Sequence, residues 1–338
     1  MAELPLKNQF ISETTEFMKG IAHKNCIVSF PEFRQMIDWH MGWIEDSQTA
    51  IIEGKRLRPL LLLLFCNLTG GTWKAAIPAA AAVELIHNFT LVHDDIQDNS
   101  PTRHGRETLW VKYGIPQAIN IGDSLFSMAE LCLAELEPII QSKRILEIYQ
   151  VINQTVLNLT KGQFLDLLFE KAQSISLDSY LEMINWKTAE LIRACTQIGT
   201  ILGSNSLQDI QNAKEFGSNV GISFQIQDDY LGIWGESKIT GKPTQNDLIS
   251  RKKTLPIIYG LQNKGEFFKL WNTNENSPST INELMTLLEL EGAREYTKDK
   301  ALLYSKIAEN DLSYFSEKDN LSYRVLCSLT DQITNRNL

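Results

Sequence analysis

Apolar residues recur along most of the chain at the spacing of an α-helix. The clearest region lies between Pro138 and Pro243, where no proline interrupts a helix. One apolar stripe there comprises Val156, Leu157, Leu159, Phe164, Leu165, Leu167 and Leu168, and another comprises Leu181, Ile184, Ala189, Leu191, Ile192 and Ile198. No segment alternates with period two for long, so the pattern predicts an all-α protein.

Two long helices stand out because both of their ends are marked. The first is predicted from about Pro78 to Asp98, before Asn99-Ser100-Pro101, because a residue that precedes proline is disfavoured in a helix. The second is predicted from about Leu207 to Trp234 and stops at Gly235. Helices of this length indicate a bundle, in which functional sites face a central cavity.

The sequence gives no clear domain boundary, since it has no low-complexity tract, no Pro/Gly-rich linker and no solenoid-type repeat. Residues Asn272 to Thr280 form the best candidate loop, and we expect them to join two helices rather than two domains. We therefore predict a single-domain bundle over residues 1–338.

Composition adds constraints on partners. The chain has 338 residues, of which 43% are hydrophobic, and 41 acidic against 32 basic side chains give a formal net charge of -9. This acidity argues against a general nucleic-acid or anionic-membrane surface. Any anionic ligand must therefore be held by local clusters of basic residues.

The sequence also bears on location. No apolar run approaches the roughly 20 residues that a membrane helix needs, and the N-terminus does not have the pattern of a secretory signal. The five cysteines are widely spaced without a Cys-x-x-Cys pair, which favours buried, reduced thiols. We expect a cytoplasmic protein without stable membrane insertion.

Three carboxylates lie at the end of the first long helix in the pattern Asp-Asp-x-x-Asp. Asp94 and Asp98 lie one turn apart on the same face, with Asp95 beside them. Such close carboxylates repel one another unless a cation neutralises them, and the negative end of the helix dipole adds to the attraction for a metal. Oxygen ligands favour Mg²⁺, which commonly bridges to substrate phosphates. The alternative is a solvated acidic helix end.

A similar pair, Asp228 and Asp229, closes the second long helix, where Gly232 stands in place of a third carboxylate. If the two helix ends face each other across a bundle cavity, they would hold several Mg²⁺ ions and a highly charged ligand. Neither motif alone excludes a solvated helix end, but the presence of both makes that interpretation weaker.

Basic residues accompany both acidic motifs. The segment Gly54-Lys55-Arg56-Leu57-Arg58-Pro59 precedes an apolar helix whose N-terminal amides favour phosphate. Arg103 and Arg106 follow the first motif, and Gly241-Lys242 and Arg251-Lys252-Lys253 follow the second. This placement indicates a metal-bound diphosphate as ligand. The alternative interpretation, that these basic residues are solvated surface side chains, fits Lys252 well and Arg58 poorly.

Further candidates lie within apolar helices. His87 lies on the first motif helix, whereas we expect its neighbour His93 to be a packing residue. Lys187, followed by Thr188, lies in an apolar segment where an inward-facing lysine needs an anion. Gln225 lies one turn before Asp228, from where it can donate to a phosphate on the same face.

In order and spacing, these motifs resemble those of the trans-isoprenyl diphosphate synthases, also called the polyprenyl synthetase family. The resemblance covers about residues 50–265, whereas the first fifty residues and residues 266–338 match only as helices. The matching segments are Gly54 to Pro59, Glu84 to His87, Leu91 to Asp98, Gly122-Asp123, Lys187-Thr188, Phe224 to Asp229, Gly241-Lys242 and Lys253 to Pro256. It implies an all-α prenyltransferase that condenses isopentenyl diphosphate head to tail with an allylic diphosphate.

The resemblance also implies roles for particular residues. Three Mg²⁺ ions, with Asp94, Asp98 and Asp228 as ligands, bind the allylic diphosphate and make it a leaving group. The catalytic set is Asp94, Asp95, Asp98, Arg103, Lys187, Asp228 and Lys242. The substrate-binding set is Lys55, Arg58, His87, Arg103, His104, Lys187, Thr188, Gln225 and Lys242. Of these, Lys55, Arg58 and His87 hold isopentenyl diphosphate, and a homodimer is the usual assembly.

Two positions depart from the family pattern. His104 stands where a second arginine is usual, and a histidine is only partly charged near neutral pH, although Arg106 compensates in charge. Gly232 removes one carboxylate from the second motif.

Product length depends on bulky residues upstream of Asp94 that form the floor of the tail pocket. Phe89 lies five residues before Asp94, and Thr90 lies four before it. In the family, an aromatic residue at the fifth place with a small neighbour favours geranylgeranyl diphosphate, whereas aromatics at both places favour farnesyl diphosphate. We predict geranylgeranyl diphosphate, with farnesyl diphosphate as the alternative.

Two other functions remain open. A terpene cyclase of similar fold also ionises allylic diphosphates, but it has no need of Lys55, Arg58 and His87. A non-catalytic partner subunit would fit the departures at His104 and Gly232.

Overall fold

The computed structural model describes residues 3–25, 30–44, 56–235, 245–318 and 320–334. Lys55 and Lys242, both assigned to the site above, lie outside these ranges. The helices up to residue 171 are α1 (Glu3–Asn25), α2 (Pro31–Met41), α3 (Leu57–Leu68), α4 (Ile77–Gln97), α5 (Leu109–Tyr113), α6 (Ile115–Ala134) and α7 (Ser142–Lys171). A 3₁₀ turn, Trp73–Ala76, leads into α4. A short antiparallel pair, β1 (Thr102–Arg103) and β2 (Arg106–Glu107), follows α4.

The remaining chain is also helical. A π-helical turn (Asn185–Ala189) joins α8 (Leu177–Ile184) to α9 (Glu190–Gly203). The elements that follow are α10 (Leu207–Trp234), α11 (Asn246–Ile249), α12 (Leu255–Asn263), α13 (Glu266–Trp271), α14 (Pro278–Leu290), α15 (Ala293–Ser313) and α16 (Asn320–Thr334). The all-α prediction is confirmed, and the two long helices that carry the acidic motifs, α4 and α10, lie within one residue of their predicted bounds.

One helical stretch differs from the expectation about membrane segments. Residues Trp73–Gln97 are, by length and composition, apolar enough to cross a membrane, with a mean hydropathy of 1.5 in the most apolar window. In that window 61% of the residues are buried inside the protein, and a core helix passes the same test. This single stretch is weak grounds for a membrane span.

The first of two compact units comprises Met1–Asn153, Ala194–Ile210 and Glu317–Val325. In it, α4 packs along α6 and against α3 and α1. Buried residues run through α3 from Leu60 to Phe65 because its sequence is apolar on every side. Gly199 lets the end of α9 approach α3 closely, since a Cβ there would lie 3.0 Å from the Cβ of Phe65.

The second unit comprises Gln154–Arg193, Gln211–Ser316 and Leu326–Leu338. One apolar cluster in it contains Ile233, Leu248 and Ile257, together with residues of α13 and α14. Another contains Tyr180, Ile226 and Leu255 and fixes α8 and α10 beside the start of α12. The loop predicted around residues 272–280 joins α13 to α14, as expected. The single domain predicted from the sequence stays a prediction.

Candidate active site

The first acidic motif occupies the last turn of α4 and divides into an inner and an outer part. Asp95 is 3% exposed, and the guanidinium of Arg103 donates to both of its carboxylate oxygens at 2.8 to 3.0 Å. Burial raises the pKa of Asp95, and Arg103 opposes that effect. Asp94 is half-buried and Asp98 is exposed. Asp95 therefore orients Arg103, whereas Asp94 and Asp98 present carboxylates one turn apart.

Arg103 lies on a hairpin that the sequence did not predict. β1 pairs Arg103 with Arg106 on β2, and the two residues between them, His104 and Gly105, have φ of 50° and 77°. Positive φ at both positions is typical of a two-residue type I′ turn. The strands span only two residues each, too few for an alternating pattern to be recognised. The hairpin places Arg103, His104 and Arg106 around one pocket.

That pocket has a volume of about 110 Å³ and combines arginines with three of the histidines. His87 lines this pocket, and its predicted role in substrate binding stays a prediction. His40 also lines the pocket, although it lies on α2 outside every sequence motif. Burial, with Arg103 nearby, lowers the pKa of His40 to about 4. Burial and then Arg58 lower the pKa of His87 well below its usual value, and burial also lowers that of His104. The imidazoles are therefore neutral at neutral pH.

The two arginines at the start of α3 have different partners. Arg56, with φ of 42°, is buried, and its Nη1 donates to Oε1 of Glu84 at 3.2 Å. The Nε atoms of Arg56 and Arg58 are both buried, and the described part of the chain gives neither of them a hydrogen-bond partner. Burial lowers the pKa of Arg58. Arg56 is thus paired with Glu84 through its Nη1 and Arg58 has a buried donor, while the role of Arg58 in holding a diphosphate stays a prediction.

The predicted floor of the tail pocket lies between α4 and α6. The ring of Phe89 lies 5.5 Å from that of Phe126 on α6 and 4.9 Å from that of His93. Thr90 donates its hydroxyl to the carbonyl of His87 at 2.7 Å. A Cβ at Gly122 would lie 2.6 Å from Cδ2 of His93, so His93 packs closely on α6, as expected. Phe126 adds a second aromatic side chain that the sequence alone did not indicate.

The second acidic motif, at the end of α10, divides in the same way. Asp229 is 3% exposed and accepts hydrogen bonds from the Tyr180 hydroxyl at 2.6 Å, from Gln225 Nε2 at 2.9 Å and from the Leu255 amide at 2.9 Å. Burial raises its pKa to about 6. Asp228, in contrast, is exposed. Gln225 therefore anchors Asp229 and also accepts from the Thr188 hydroxyl at 2.7 Å, which links two predicted site residues.

Lys187 and Thr188 both lie in the π-helical turn. Gly162 on α7 faces this turn, since a Cβ there would lie 2.7 Å from Cα of Lys187. Gly221 on α10 faces it as well, since a Cβ there would lie 2.7 Å from the Cβ of Ala189. Turns of this kind are frequent at functional sites. The two glycines let neighbouring helices approach the backbone that carries Lys187.

A buried carboxylate, Asp166, joins Lys187 to Lys252. Its Oδ2 lies 2.5 Å from Nζ of Lys187 and 3.3 Å from Nζ of Lys252. Burial by itself raises the pKa of Asp166, but Lys252 and Lys187 lower it below its usual value. The sequence reasoning missed Asp166. The side chain of Lys252, for which the sequence predicts a solvated surface position, is 37% exposed and also pairs with Asp166. Asp166 thus brings the ammonium groups of Lys187 and Lys252 together at one carboxylate oxygen.

Gly232, the departure in the second motif, lies against another carboxylate. A Cβ on Gly232 would lie 2.7 Å from Cγ of Asp247 and 3.1 Å from its Oδ1. Asp247 lies on the one-turn helix α11, and no sequence motif pointed to it.

The donors of both motifs suit Mg²⁺ in their chemistry. Carboxylate oxygens one turn apart, as at Asp94 and Asp98, are the hard ligands that this ion prefers. Within the described ranges, no three His, Cys, Asp or Glu side chains come close enough together to hold a metal ion by themselves. Such carboxylates fit an ion that takes further oxygen ligands from a phosphate group.

Comparison with known proteins adds independent information. A family model described as polyprenyl synthetase matches residues 42–290. The chain is 32% identical over 281 residues to the (2E,6E)-farnesyl diphosphate synthase of Mycobacterium tuberculosis, with 80% of this chain and 77% of that protein covered. It is 35% identical over 282 residues to the geranylgeranyl diphosphate synthase of Sulfolobus acidocaldarius, with 82% and 86% covered. The crystal structure of a geranylgeranyl pyrophosphate synthetase from Pyrococcus horikoshii superposes with a TM-score of 0.84 at 30% identity, covering 98% of this chain and 99% of that one.

Proposed function

The chain belongs to the polyprenyl synthetase family, and on that premise we propose that it condenses isopentenyl diphosphate with an allylic diphosphate to give geranylgeranyl diphosphate. The predicted class of enzyme, a short-chain prenyltransferase, is confirmed by this membership. The product, the starter substrate and the residue roles are parts of the proposal.

The observation that carries the proposal is the common division of the two acidic motifs. In each, one aspartate is buried and bonded within the protein, Asp95 to Arg103 and Asp229 to Tyr180. The other carboxylates, Asp94, Asp98 and Asp228, remain at more exposed positions. In the proposal, these more exposed carboxylates serve as oxygen ligands for metal ions, while the buried aspartate beside them fixes the local structure.

Metal ions held by Asp94, Asp98 and Asp228, three Mg²⁺ ions in our proposal, would neutralise the allylic diphosphate and make it a better leaving group. Two basic side chains of the protein, Arg103 and Lys187, act on the same negative charge of the allylic diphosphate. Arg103 is held in a fixed direction by its two-pronged bond to Asp95, and a fixed donor loses little free energy to reorganisation when charge develops. Lys187 is positioned by Asp166 and by the π-helical turn.

Isopentenyl diphosphate is assigned to the side of α4 that carries His87. Arg58 offers a buried donor there, while His40 and His87 are neutral at neutral pH and can serve as hydrogen-bonding groups rather than as cations. His104 is neutral as well, so Arg103 and Arg106 supply the positive charge of the hairpin. The arrangement supports a diphosphate site that needs no second arginine at position 104.

The proposed product length rests on Phe89 and Thr90. Phe89, packed against Phe126, would close the tail pocket five residues before Asp94, while Thr90 leaves space beside it. The names of the two relatives cover both farnesyl and geranylgeranyl products. Farnesyl diphosphate is therefore the alternative that the assay must exclude.

A homodimer in the cytoplasm completes the proposal. Ile115 and Ile119, one turn apart on α6, are 47% and 42% exposed, and Leu157, Phe164 and Leu168 on α7 are 50% to 64% exposed. In the proposal, a partner subunit covers these apolar side chains. The free thiols of Cys66, Cys132, Cys195 and Cys327 suit a reducing compartment. Sedimentation equilibrium tests the dimer, and a monomer at micromolar concentration would contradict it.

The deciding assay uses purified protein with Mg²⁺, isopentenyl diphosphate and dimethylallyl, geranyl or farnesyl diphosphate, with products sized after dephosphorylation. We expect a C20 alcohol, and loss of turnover when EDTA removes the metal. Consumption of allylic diphosphate without isopentenyl diphosphate would indicate a cyclase. No turnover with any pair of substrates would indicate a non-catalytic partner subunit.

A further inference from the structure

The second acidic motif has a glycine where its third carboxylate would be, yet a carboxylate lies at that place. Asp228 and Gly232 are one turn apart on α10, so side chains at these positions share one face, as Asp94 and Asp98 do on α4. Cγ of Asp247 lies 2.7 Å from where a Cβ of residue 232 would be. The Asp247 side chain therefore occupies the volume that an aspartate at 232 would fill.

The position of Asp247 is fixed by its neighbours in the fold. Leu248, the next residue, is 0% exposed and packs in the same apolar cluster as Ile233, the residue after Gly232. On the other side, Gln245 donates from Nε2 to Oδ1 of Asn282 at 2.9 Å. The carbonyl of Asp247 accepts from the amide of Lys252 at 3.0 Å. The apolar cluster thus joins α11 to the end of α10, and the bond from Gln245 ties the residue before α11 to α14.

We propose that Asp247 supplies the third carboxylate of the second motif from α11, in place of residue 232, and serves as an oxygen ligand for Mg²⁺ beside Asp228. This inference rests on the proposed function, because it assigns a further residue to the same metal site. Gly232 has a defined part in it: the missing side chain leaves room for the carboxylate of Asp247.

The test is a charge exchange between the two positions. Asp247→Asn keeps the shape of the side chain and removes its charge, and the double variant G232D/D247G moves the carboxylate back to α10. Asp299→Asn, at an exposed aspartate of the same unit, is the matched control. Binding of inorganic diphosphate is measured by calorimetry at several Mg²⁺ concentrations, and circular dichroism confirms that each variant is folded.

Asp247→Asn should weaken Mg²⁺-dependent diphosphate binding by about tenfold or more, the usual effect of losing a group that supports a metal site. The double variant should restore most of that loss, and Asp299→Asn should bind as the parent does. Parent-like binding by Asp247→Asn, or a double variant no better than Asp247→Asn, would overturn the inference. Absence of Mg²⁺-dependent binding in the parent would instead refute the proposed function itself.

Discussion

The ammonium of Lys187 lies 2.5 Å from the carboxylate of Asp166, one helix away and 21 residues earlier in the chain. The same oxygen is 3.3 Å from the ammonium of Lys252. Because Asp166 is buried and both lysines are partly exposed, the carboxylate fixes where the two ammonium groups can point.

Replacing Asp166 with Asn should reduce kcat/KM for the allylic diphosphate by about tenfold or more. A hydrogen bond between charged groups contributes about 1.5 to 3 kcal/mol, and each 1.4 kcal/mol corresponds to about tenfold in rate. Steady-state kinetics with both substrates varied separately checks this. Asp178→Asn, at an exposed position on α8, is the control and should match the parent. A folded Asp166→Asn enzyme with parental kcat and KM would contradict the positioning role.

Gly162→Ala should destabilise the protein and lower its turnover. The new Cβ would lie 2.7 Å from Cα of Lys187, so α7 and the π-helical turn must separate. Overpacking of this kind typically costs about 1 to 3 kcal/mol. Urea unfolding measures the loss, with Gly20→Ala as control, since nothing lies within 4 Å of a Cβ there. The control should be neutral or slightly stabilised, because alanine favours the helix more than glycine does. Equal stability of the two variants would argue against the close approach.

Phe89→Ala should lengthen the product, and Phe126→Ala should do so to a smaller extent. The two rings lie 5.5 Å apart, so removal of either opens the floor assigned to the tail pocket, but only Phe89 lies on the motif helix. Chromatography of the dephosphorylated products gives the chain lengths. Phe30→Ala, at a ring that is 63% exposed, serves as the control. An unchanged product from Phe89→Ala would refute the floor assignment.

His40→Gln should make stability less dependent on pH between 7.5 and 5. The pKa of His40 is lowered to about 4 in the folded protein, against an ordinary value of 6.5, so the unfolded chain binds the extra proton more readily over this interval. The stabilisation of the folded protein that comes from the neutral His40 imidazole is therefore fully present above pH 6.5, and it is lost as the pH falls towards 4. The loss at pH 5 amounts to about 2 kcal/mol.

Urea unfolding of the parent and of His40→Gln at both pH values measures that difference. His23→Gln, at an exposed histidine on α1, provides the comparison and should keep the pH dependence of the parent. If His40→Gln loses as much stability on acidification as the parent does, the imidazole is not held neutral by burial.

The sequence predicted the long helices well because local signals determine them. Proline and glycine mark the ends of α4 and α10, and apolar periodicity fills their interiors. The acidic motifs, His87 and Lys187 stand out in the sequence because ionisable groups in apolar surroundings are conspicuous. Asp166 has the same signature, between Leu165 and Leu167, and the argument applied to Lys187 would have found it.

Other parts of the site depend on contacts between distant positions. His40 shares a pocket with Arg103 although more than sixty residues separate them, and no local pattern marks that relationship. Asp247 reaches Gly232 only through the packing of α11. Lys252 looked like a surface residue because its charged neighbours Arg251 and Lys253 are typical of solvated segments. Tertiary packing, rather than propensity, places all three.

The π-helical turn at Asn185–Ala189 has a consequence for exchanging segments between related chains. A turn of this type contains one residue more than an α-helical turn, and one residue corresponds to a rotation of about 100°. Deleting a residue there would rotate α9 about its axis, so that Glu190 would turn away from Asn158, whose amide now lies 2.9 Å from its carboxylate. A chimera joined within this turn must therefore keep the residue count, whatever amino acids it uses.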